Sequence, residues 1–210
     1  DPELTLSCPP AVVAASGMDA FTQLLESFVS TKANPWTDAL ALKGMGLIVK
    51  SLTTSYEQGT LDARSDMMVA AYFSGITLAN AGLGLVHGFA SSIGGHVNVP
   101  HGVVCSKLME PCNRVTVREL RRTRNKAALN RYAQAGRLIA DTQDDDYAVD
   151  QLLDFIASLT DQLRIPSLDQ YGLAPGDFDT LAGKTDNKNN PVAISEEGMI
   201  EILEESVKHQ

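Results

Sequence analysis

The stretch that decides the fold runs from Gly82 to Gly102 and reads GLGLVHGFASSIGGHVNVPHG. It holds three of the four histidines of the chain, His87, His96 and His101, and histidine is the commonest metal ligand among side chains. Glycine is equally dense there, although an interior glycine costs about 0.5–1 kcal/mol of helix or strand stability relative to alanine. This density indicates that backbones approach closely or that side chains converge. A buried pair of glycine-rich helices with hydrogen-bonded histidines remains an alternative.

The spacing of two of these histidines favours convergence. His87 and His101 are too far apart for one face of a helix, and they reach a common point only if the chain folds back between them. Gly94-Gly95 and Pro100 are the residues at which we expect that reversal. His96 lies in the same segment, but the sequence gives it no firm role.

A carboxylate and an amide upstream complement the two imidazoles. Asp19 and Gln23 are four residues apart, so on a helix they project from the same face. One carboxylate with two imidazoles suits a divalent transition metal, either iron in an open site or zinc with a free position. Asp19 has an alternative explanation as an acidic residue in the first turn of a helix. Gln23 and Glu26 have one as part of a solvated helix face.

Composition limits the class of protein. The chain has 210 residues, 44% of them hydrophobic and 20% charged, as in an ordinary soluble globular protein. Its net charge of −9 argues against nucleic-acid binding, and we expect the basic cluster Arg114 to Lys126 to form a solvated surface. No apolar run approaches the roughly 18 residues of a membrane span. Cys8, Cys105 and Cys112 lack a CxxC spacing, so they predict free thiols in a reducing, cytoplasmic compartment, with the last two in the core.

Hydrophobic periodicity predicts an all-α multi-helix bundle, with residues 1–210 forming one domain. Apolar residues from Phe21 to Val29 recur at helical spacing, and DPELTLSCPP before them suggests an extended connector that ends at Pro-Pro. Asn34-Pro35 is typical of a helix start, and Ser195 is the predicted cap of a last helix. LAGKTDNKNNP, 181–191, is a predicted polar loop. The predicted helices from the second onward are Asn34-Pro35 to about Glu57, Leu61 to Ala81 (central and buried), Val86 to Gly94, His101 to about Cys112, Ala127 to Ile139, Tyr147 to Leu163 and one after Ser195.

Two long blocks carry a resemblance to a known family. PPAVVAASGMDAFTQLLESFVSTKANPWTDALAL, followed by the stretch from Gly82 to Gly102, resembles the helical C-terminal half of the iron-containing (group III) alcohol dehydrogenases. The fold that this implies is the dehydroquinate synthase-like bundle. Residues 1–10 would then connect it to an N-terminal domain that holds NAD(P) and has no counterpart in this sequence. Gly82-Leu83-Gly84 does not replace that domain, because no strand precedes it.

The resemblance also implies a metal site, with Asp19, Gln23, His87 and His101 at the four ligand positions. The family has histidine where this chain has Gln23, and an amide oxygen is a weaker ligand than imidazole. Related polyol dehydrogenases manage with one aspartate and two histidines. Many members also carry a histidine near the nicotinamide at the position of Ser91. A divalent metal, Fe²⁺ or Zn²⁺, would act as a Lewis acid on the substrate oxygen, with NAD(P) accepting hydride.

The resulting expectation is the metal-binding half of an NAD(P)-dependent alcohol dehydrogenase, inactive or nearly so without the cofactor domain. Its partners would be a small-molecule alcohol or aldehyde and other copies of itself, since exposed apolar surface favours a homo-oligomer, with no nucleic acid and no membrane. One alternative is a metal-free helical assembly or scaffold domain with a drifted active site, which Gln23 and Ser91 favour. Another is a lyase domain of the dehydroquinate synthase type.

Overall fold

The fold is an all-α bundle, seen in a computed structural model that describes residues 1–208. Within those residues there are nine α-helices and no strand, as the periodicity predicted. The helices are α1 (Pro10–Val29), α2 (Pro35–Glu57), α3 (Leu61–Ala81), α4 (Leu85–Gly94), α5 (His101–Thr123), α6 (Lys126–Gly136), α7 (Asp145–Gln162), α8 (Phe178–Lys184) and α9 (Glu196–Ser206).

Helix α1 begins nine residues before Asp19, so the expectation of a helix start near that aspartate is wrong. Pro9 is the cap and Pro10 the first residue of the helix. Proline suits this position because its φ angle is already close to the helical value, and because the backbone N–H that it lacks would have no partner in the first turn. The Pro-Pro pair thus starts a helix rather than ending a connector. Residues Pro2–Thr5 before it form a 3-10 turn.

Capping side chains fix other helix ends where the sequence predicted them. Asn34 Oδ1 accepts from the backbone nitrogens of Trp36 and Thr37, each at 3.1 Å, and α2 runs from Pro35 to Glu57 as expected. Ser195 Oγ accepts from Gly198 N at the start of α9. These bonds satisfy backbone donors that a helix leaves free in its first turn.

The expectation that α3 is among the most buried helices is wrong. Apart from Arg64, small side chains, among them Ala70, Ser74 and Ala81, form its buried face, which packs against α1 and α2. Larger apolar side chains point outward, and Tyr72 is 68% exposed. Periodicity could not reveal this because the helix is apolar on nearly every side. The core is instead built around α1 and α5, whose large apolar residues are buried.

Helix α5 continues to Thr123, eleven residues beyond its predicted end, and passes through Pro111. Four arginines of the basic cluster lie on this extension and pair with carboxylates of the same chain, namely Arg114, Arg118, Arg121 and Arg122. Arg118 binds Glu201 on α9, and Arg121 contacts Asp146 and Asp150 on α7. The cluster is therefore a helix surface that ties α5 to its neighbours.

The segment 181–191 is only partly a loop, because α8 occupies its first four residues. The remainder packs on the glycine-rich stretch, where Asn189 N and Nδ2 both donate to Leu83 O at 3.1 Å. Among residues 1–208, no single helix is both long and apolar enough to cross a membrane. Helices α3 and α4 meet that test only when joined, and the chain bends by 96° between them.

Candidate metal centre

A close approach between α1 and α5 places the first candidate ligands together. A Cβ atom at Gly102 would lie 2.6 Å from the Ala15 carbonyl oxygen, a distance at which only glycine fits. His101 precedes Gly102 as the first residue of α5, and Asp19 lies one helical turn after Ala15 on α1. The two side chains therefore face one another across this contact, with His101 Nε2 3.7 Å from Asp19 Oδ1.

A second close approach positions the other histidine. A Cβ atom at Gly88 would lie 2.0 Å from the Asp186 carbonyl oxygen, so the loop after α8 rests directly on the backbone of α4. His87, the preceding residue, is turned inward and is 5% exposed. Its Nε2 lies 3.2 Å from Asp19 Oδ1, and the His87 and His101 ring centroids are 5.4 Å apart. The structure thus brings Asp19, His87 and His101 to one point.

Glu26 holds His87 from the other side. Its Oε2 lies 2.7 Å from His87 Nδ1, and its Oε1 accepts from the backbone nitrogen of Val86 at 2.6 Å, in the first turn of α4. A carboxylate on Nδ1 makes this nitrogen the donor and directs Nε2 towards Asp19, as in the carboxylate–histidine–metal arrangement. The sequence interpretation of Glu26 as part of a solvated helix face is wrong, because the residue is buried.

The carboxylates of this cluster favour a positive charge between them. Burial acts to lower the pKa of His87, but its contacts with Asp19, Cys105 and Glu26 outweigh it and raise the pKa to about 12. Burial acts to raise the pKa of Asp19, yet the imidazoles of His87 and His101 bring it below its usual value. Two carboxylates converge on one buried imidazole, so positive charge at this point, carried by a proton or by a metal ion, stabilises the site.

Gln23, the fourth ligand position of the family pattern, contacts Asp19. Its Nε2 donates to Asp19 Oδ2 at 3.0 Å, as the four-residue spacing allows. This hydrogen bond orients the carboxylate and leaves Oδ1 for the two imidazoles. The assignment of Gln23 as a ligand stays a prediction.

Sequence reasoning missed a fourth member of the cluster, Cys105. Its Sγ lies 3.5 Å from His101 Nε2 and 3.7 Å from His87 Nε2, and one potential ligand atom from each of Asp19, His87, His101 and Cys105 lies within 4.8 Å of the others. Both Cys105 and Cys112 are buried, as expected of core thiols, but only Cys105 is in this group. The available signal was its spacing, four residues after His101 on one helix.

Two further residues of the stretch lie outside the cluster. His96 Nε2 contacts Asp177 Oδ1 at 2.8 Å, away from the other imidazoles. Ser91 Oγ donates to the carbonyl oxygen of His87 at 2.9 Å, and Lys188 Nζ lies 3.4 Å from Ser91 Oγ. Neither residue completes the ligand set.

A cavity of about 680 Å³ opens beside the cluster. Asp19 and His101 form part of its wall, and the His101 side chain is 56% exposed. The rest of the wall is mostly apolar and comes from the start of α1, the start of α5 and the segment after α7; it includes Val12, Ala15, Pro100, Val103, Ile165 and Tyr171. A small molecule with one polar end and an apolar body can therefore approach the cluster from this side.

The donor set fits a divalent metal ion. Asp19 Oδ1 is buried, and its contact with His87 Nε2 at 3.2 Å lacks hydrogen-bond geometry, although buried polar atoms are nearly always hydrogen-bonded. A carboxylate oxygen, two imidazole nitrogens and a neighbouring sulfur are also the ligand types that Zn²⁺ and Fe²⁺ accept. An ion among these atoms would satisfy the unpaired oxygen.

The family model described as Fe-containing alcohol dehydrogenase family, C-terminal, matches residues 13–207. Alcohol dehydrogenase 4 of Saccharomyces cerevisiae is 33% identical over 217 residues, which cover 100% of this chain and 54% of the yeast protein. The 1-propanol dehydrogenase of Citrobacter freundii is 36% identical over 80% of this chain and 45% of its own length. Among solved structures, alcohol dehydrogenase from Oenococcus oeni aligns with a TM-score of 0.86 and 32% identity, covering 98% of this chain and 54% of that one.

The crystal structure of 1,3-propanediol oxidoreductase aligns with a TM-score of 0.89 and 30% identity, and again 98% of this chain matches 54% of the other. The chain thus spans about half the length of these relatives. The resemblance of its two sequence blocks is confirmed by the family model and by the structural alignments. The chain belongs to the iron-containing alcohol dehydrogenase family and corresponds to the C-terminal domain of its members.

Proposed function

We propose that this chain is the metal-binding half of an NAD(P)-dependent alcohol dehydrogenase, which interconverts a primary or secondary alcohol and its aldehyde or ketone. The observation that carries the proposal is the convergence of Asp19 Oδ1 with the Nε2 atoms of His87 and His101 at the wall of an apolar cavity. Membership of the family supports it. The named relatives are alcohol dehydrogenases, which favours this function over the lyase alternative.

Asp19, His87 and His101 would hold the cation, Fe²⁺ or Zn²⁺, with Gln23 at the edge of the ligand set. When bound, the ion supplies Lewis acidity, which lowers the pKa of an alcohol hydroxyl and polarises a carbonyl. Glu26 contributes by fixing the ring of His87 and the direction of its Nε2. Gln23 contributes by binding the outer oxygen of Asp19, so that the inner oxygen keeps its orientation.

The cavity would receive the organic part of the substrate. Its apolar wall removes an alkyl chain from water, which favours binding by about 0.8 kcal/mol per buried CH₂ group. The exposed edge of His101 lies where the polar end of the substrate must enter. The placement of Asp19 at the wall then brings that polar end next to the charged cluster.

The hydride acceptor would be NAD(P), bound mainly by an N-terminal domain outside this chain. A dinucleotide loop needs a strand before it and a helix after it, whereas Gly82-Leu83-Gly84 lies between α3 and α4. A relative from Clostridium saccharobutylicum, 30% identical over 97% of this chain, is named an NADPH-dependent butanol dehydrogenase. We therefore expect the 210-residue chain alone to show no turnover.

A fusion tests this function. The chain is joined to the N-terminal part of the Oenococcus oeni alcohol dehydrogenase that precedes the aligned region, loaded with Zn²⁺ or Fe²⁺, and supplied with propanal and NADH or NADPH. The expected result is aldehyde-dependent oxidation of the coenzyme, abolished by Asp19→Asn and retained in the matched surface variant Asp154→Asn. A folded, metal-loaded fusion without activity would contradict the proposal and favour the scaffold alternative.

We also propose a reducing, cytoplasmic setting and self-association of the chain. Cys8, Cys105 and Cys112 are free in the structure, which supports a reducing, cytoplasmic compartment. Self-association into a homo-oligomer is tested by light scattering of the purified chain, where a strictly monomeric species at high concentration would contradict it.

A further inference from the structure

We infer that Cys105 is the fourth ligand of the cation site, so that the ion is held by one carboxylate oxygen, two imidazole nitrogens and one thiolate sulfur. This inference rests on the proposed function, because it concerns the same ion. In this arrangement Cys105, on α5, takes the ligand role that the family assigns to the position of Gln23, on α1.

The distances around Cys105 match a tetrahedral site. Bonds of about 2.0–2.1 Å to nitrogen, about 2.1 Å to oxygen and about 2.3 Å to sulfur place nitrogen and sulfur about 3.6 Å apart, and nitrogen and oxygen about 3.4 Å apart, at the tetrahedral angle. The structure has sulfur at 3.5 Å and 3.7 Å from the two Nε2 atoms. It has Asp19 Oδ1 at 3.2 Å and 3.7 Å from the same atoms. For ligand–metal–ligand angles of about 90°, the ideal nitrogen–sulfur and nitrogen–oxygen separations would be only about 3.1 Å and about 2.9 Å, shorter than those in the structure.

Three helices supply this set, with Asp19 on α1, His87 on α4 and the other two ligands on α5. His101 and Cys105 are four residues apart on α5, so their side chains lie on the same face one turn apart. Cys105 closes the buried side of the cluster, whereas His101 closes the side at the cavity. Four ligands complete a tetrahedron, and the exposed side at His101 is where a fifth ligand can enter.

Gln23 is less suited to this role than Cys105. The amide nitrogen of Gln23 is already bound to Asp19 Oδ2, which leaves only a neutral carbonyl oxygen for coordination. A thiolate, by contrast, carries a full negative charge and is a strong ligand for zinc. Coordination replaces the thiol proton of Cys105 by the cation, and the proton passes to the solvent. The expected consequence is a preference for Zn²⁺ over Fe²⁺.

The experiment is titration of Co²⁺, as a spectroscopic substitute for Zn²⁺, into the 210-residue chain and two variants. Cys105→Ala removes the proposed ligand. Cys112→Ala is the matched control, because it removes the other buried thiol of α5. We expect a sulfur-to-cobalt charge-transfer band in the near ultraviolet for the wild type and Cys112→Ala. Cys105→Ala should lack this band and bind Zn²⁺ at least about 10–100-fold more weakly, since even the loss of a residue that only supports a ligand costs that much.

The outcomes separate this inference from the proposed function. Cobalt that binds with visible d–d bands but without the charge-transfer band would overturn the assignment of Cys105 while leaving the metal site intact. Failure of the wild type to bind any cobalt would overturn both. Should Cys105→Ala fold poorly by circular dichroism, Cys105→Ser keeps a side chain of similar size, and persistence of the full band in that variant would contradict the inference.

Discussion

The two histidines of the candidate site lie in contrasting surroundings. His87 on α4 is 5% exposed, is held by Glu26 and is followed by a glycine pressed against a carbonyl of another loop. His101 on α5 is 56% exposed and borders the cavity. One half of the site fixes geometry and charge, and the other half faces the cavity. A change at His87 should therefore lower the stability of the fold, because only that half is part of the core. A change at His101 should affect binding with little effect on stability.

The largest expected effect distinguishes the two imidazoles directly. In the metal-free chain, His87→Ala leaves the buried carboxylate of Glu26 without a positive partner and Asp19 with only His101, which should cost about 3–5 kcal/mol of the free energy of unfolding. His101→Ala should change it by no more than about 0.5 kcal/mol, because the ring is mostly exposed. Urea denaturation measures both, and equal losses would show that the two halves do not differ.

A glycine substitution tests the packing that orients His87. In Gly88→Ala the new methyl group collides with the Asp186 carbonyl oxygen, and a backbone atom cannot yield as a side chain does. We expect a loss near the upper end of the roughly 1–3 kcal/mol typical of overpacking. Gly94→Ala, on the same helix with nothing within 4 Å of its Cβ, is the matched control and should be neutral or stabilising by about 0.4–1 kcal/mol. Indistinguishable melting curves for the two variants would refute the close approach.

Glu26→Gln tests the support of His87 without removing the ring. The amide still accepts from Val86 N with its oxygen, but its nitrogen then faces His87 Nδ1 and opposes the tautomer that presents Nε2 to the ion. We expect metal affinity to fall by about 10–100-fold, measured by competition with a chelator. Glu110→Gln, which removes a carboxylate on α5 that pairs with Arg114 instead, should leave the affinity unchanged. A similar loss in both variants would point to a general charge effect.

The smallest effect concerns the third histidine of the stretch. His96 contacts Asp177 near the surface, and exposed pairs of this kind contribute about 0–1 kcal/mol. His96→Ala should therefore change stability by less than about 1 kcal/mol and leave metal affinity at the wild-type value. A clear loss of metal binding would place His96 among the ligands of the ion.

The sequence predicts those features of the fold that neighbouring residues determine, and it misses those that depend on residues distant in the chain. Asn34-Pro35 and Ser195 mark helix starts by their own hydrogen bonds, so those boundaries are correct. Burial of α3 could not be predicted, because the helix is apolar on nearly all sides and only its packing on α1 and α2 decides which side is covered. The role of Glu26 was missed for a similar reason, since its partners Val86 and His87 are some sixty residues away in the chain.

The candidate site shows the same limit. The resemblance provides Asp19, His87 and His101, and the structure brings these three together. From its sequence context Cys105 is interpreted as a core thiol, because a buried cysteine and a metal-binding cysteine can both occur within an apolar helix. Only the fold shows that one of two buried cysteines on α5 faces the imidazoles.

The central claim is that Asp19, His87 and His101 hold one divalent ion. Calorimetric titration of Zn²⁺ into the 210-residue chain, the His101→Ala variant and the His96→Ala variant tests it most directly. We predict one ion per chain in the wild type and in His96→Ala, and binding that is weakened at least about 100-fold, or lost, in His101→Ala. Binding in His101→Ala that is as tight as in the wild type would contradict the claim.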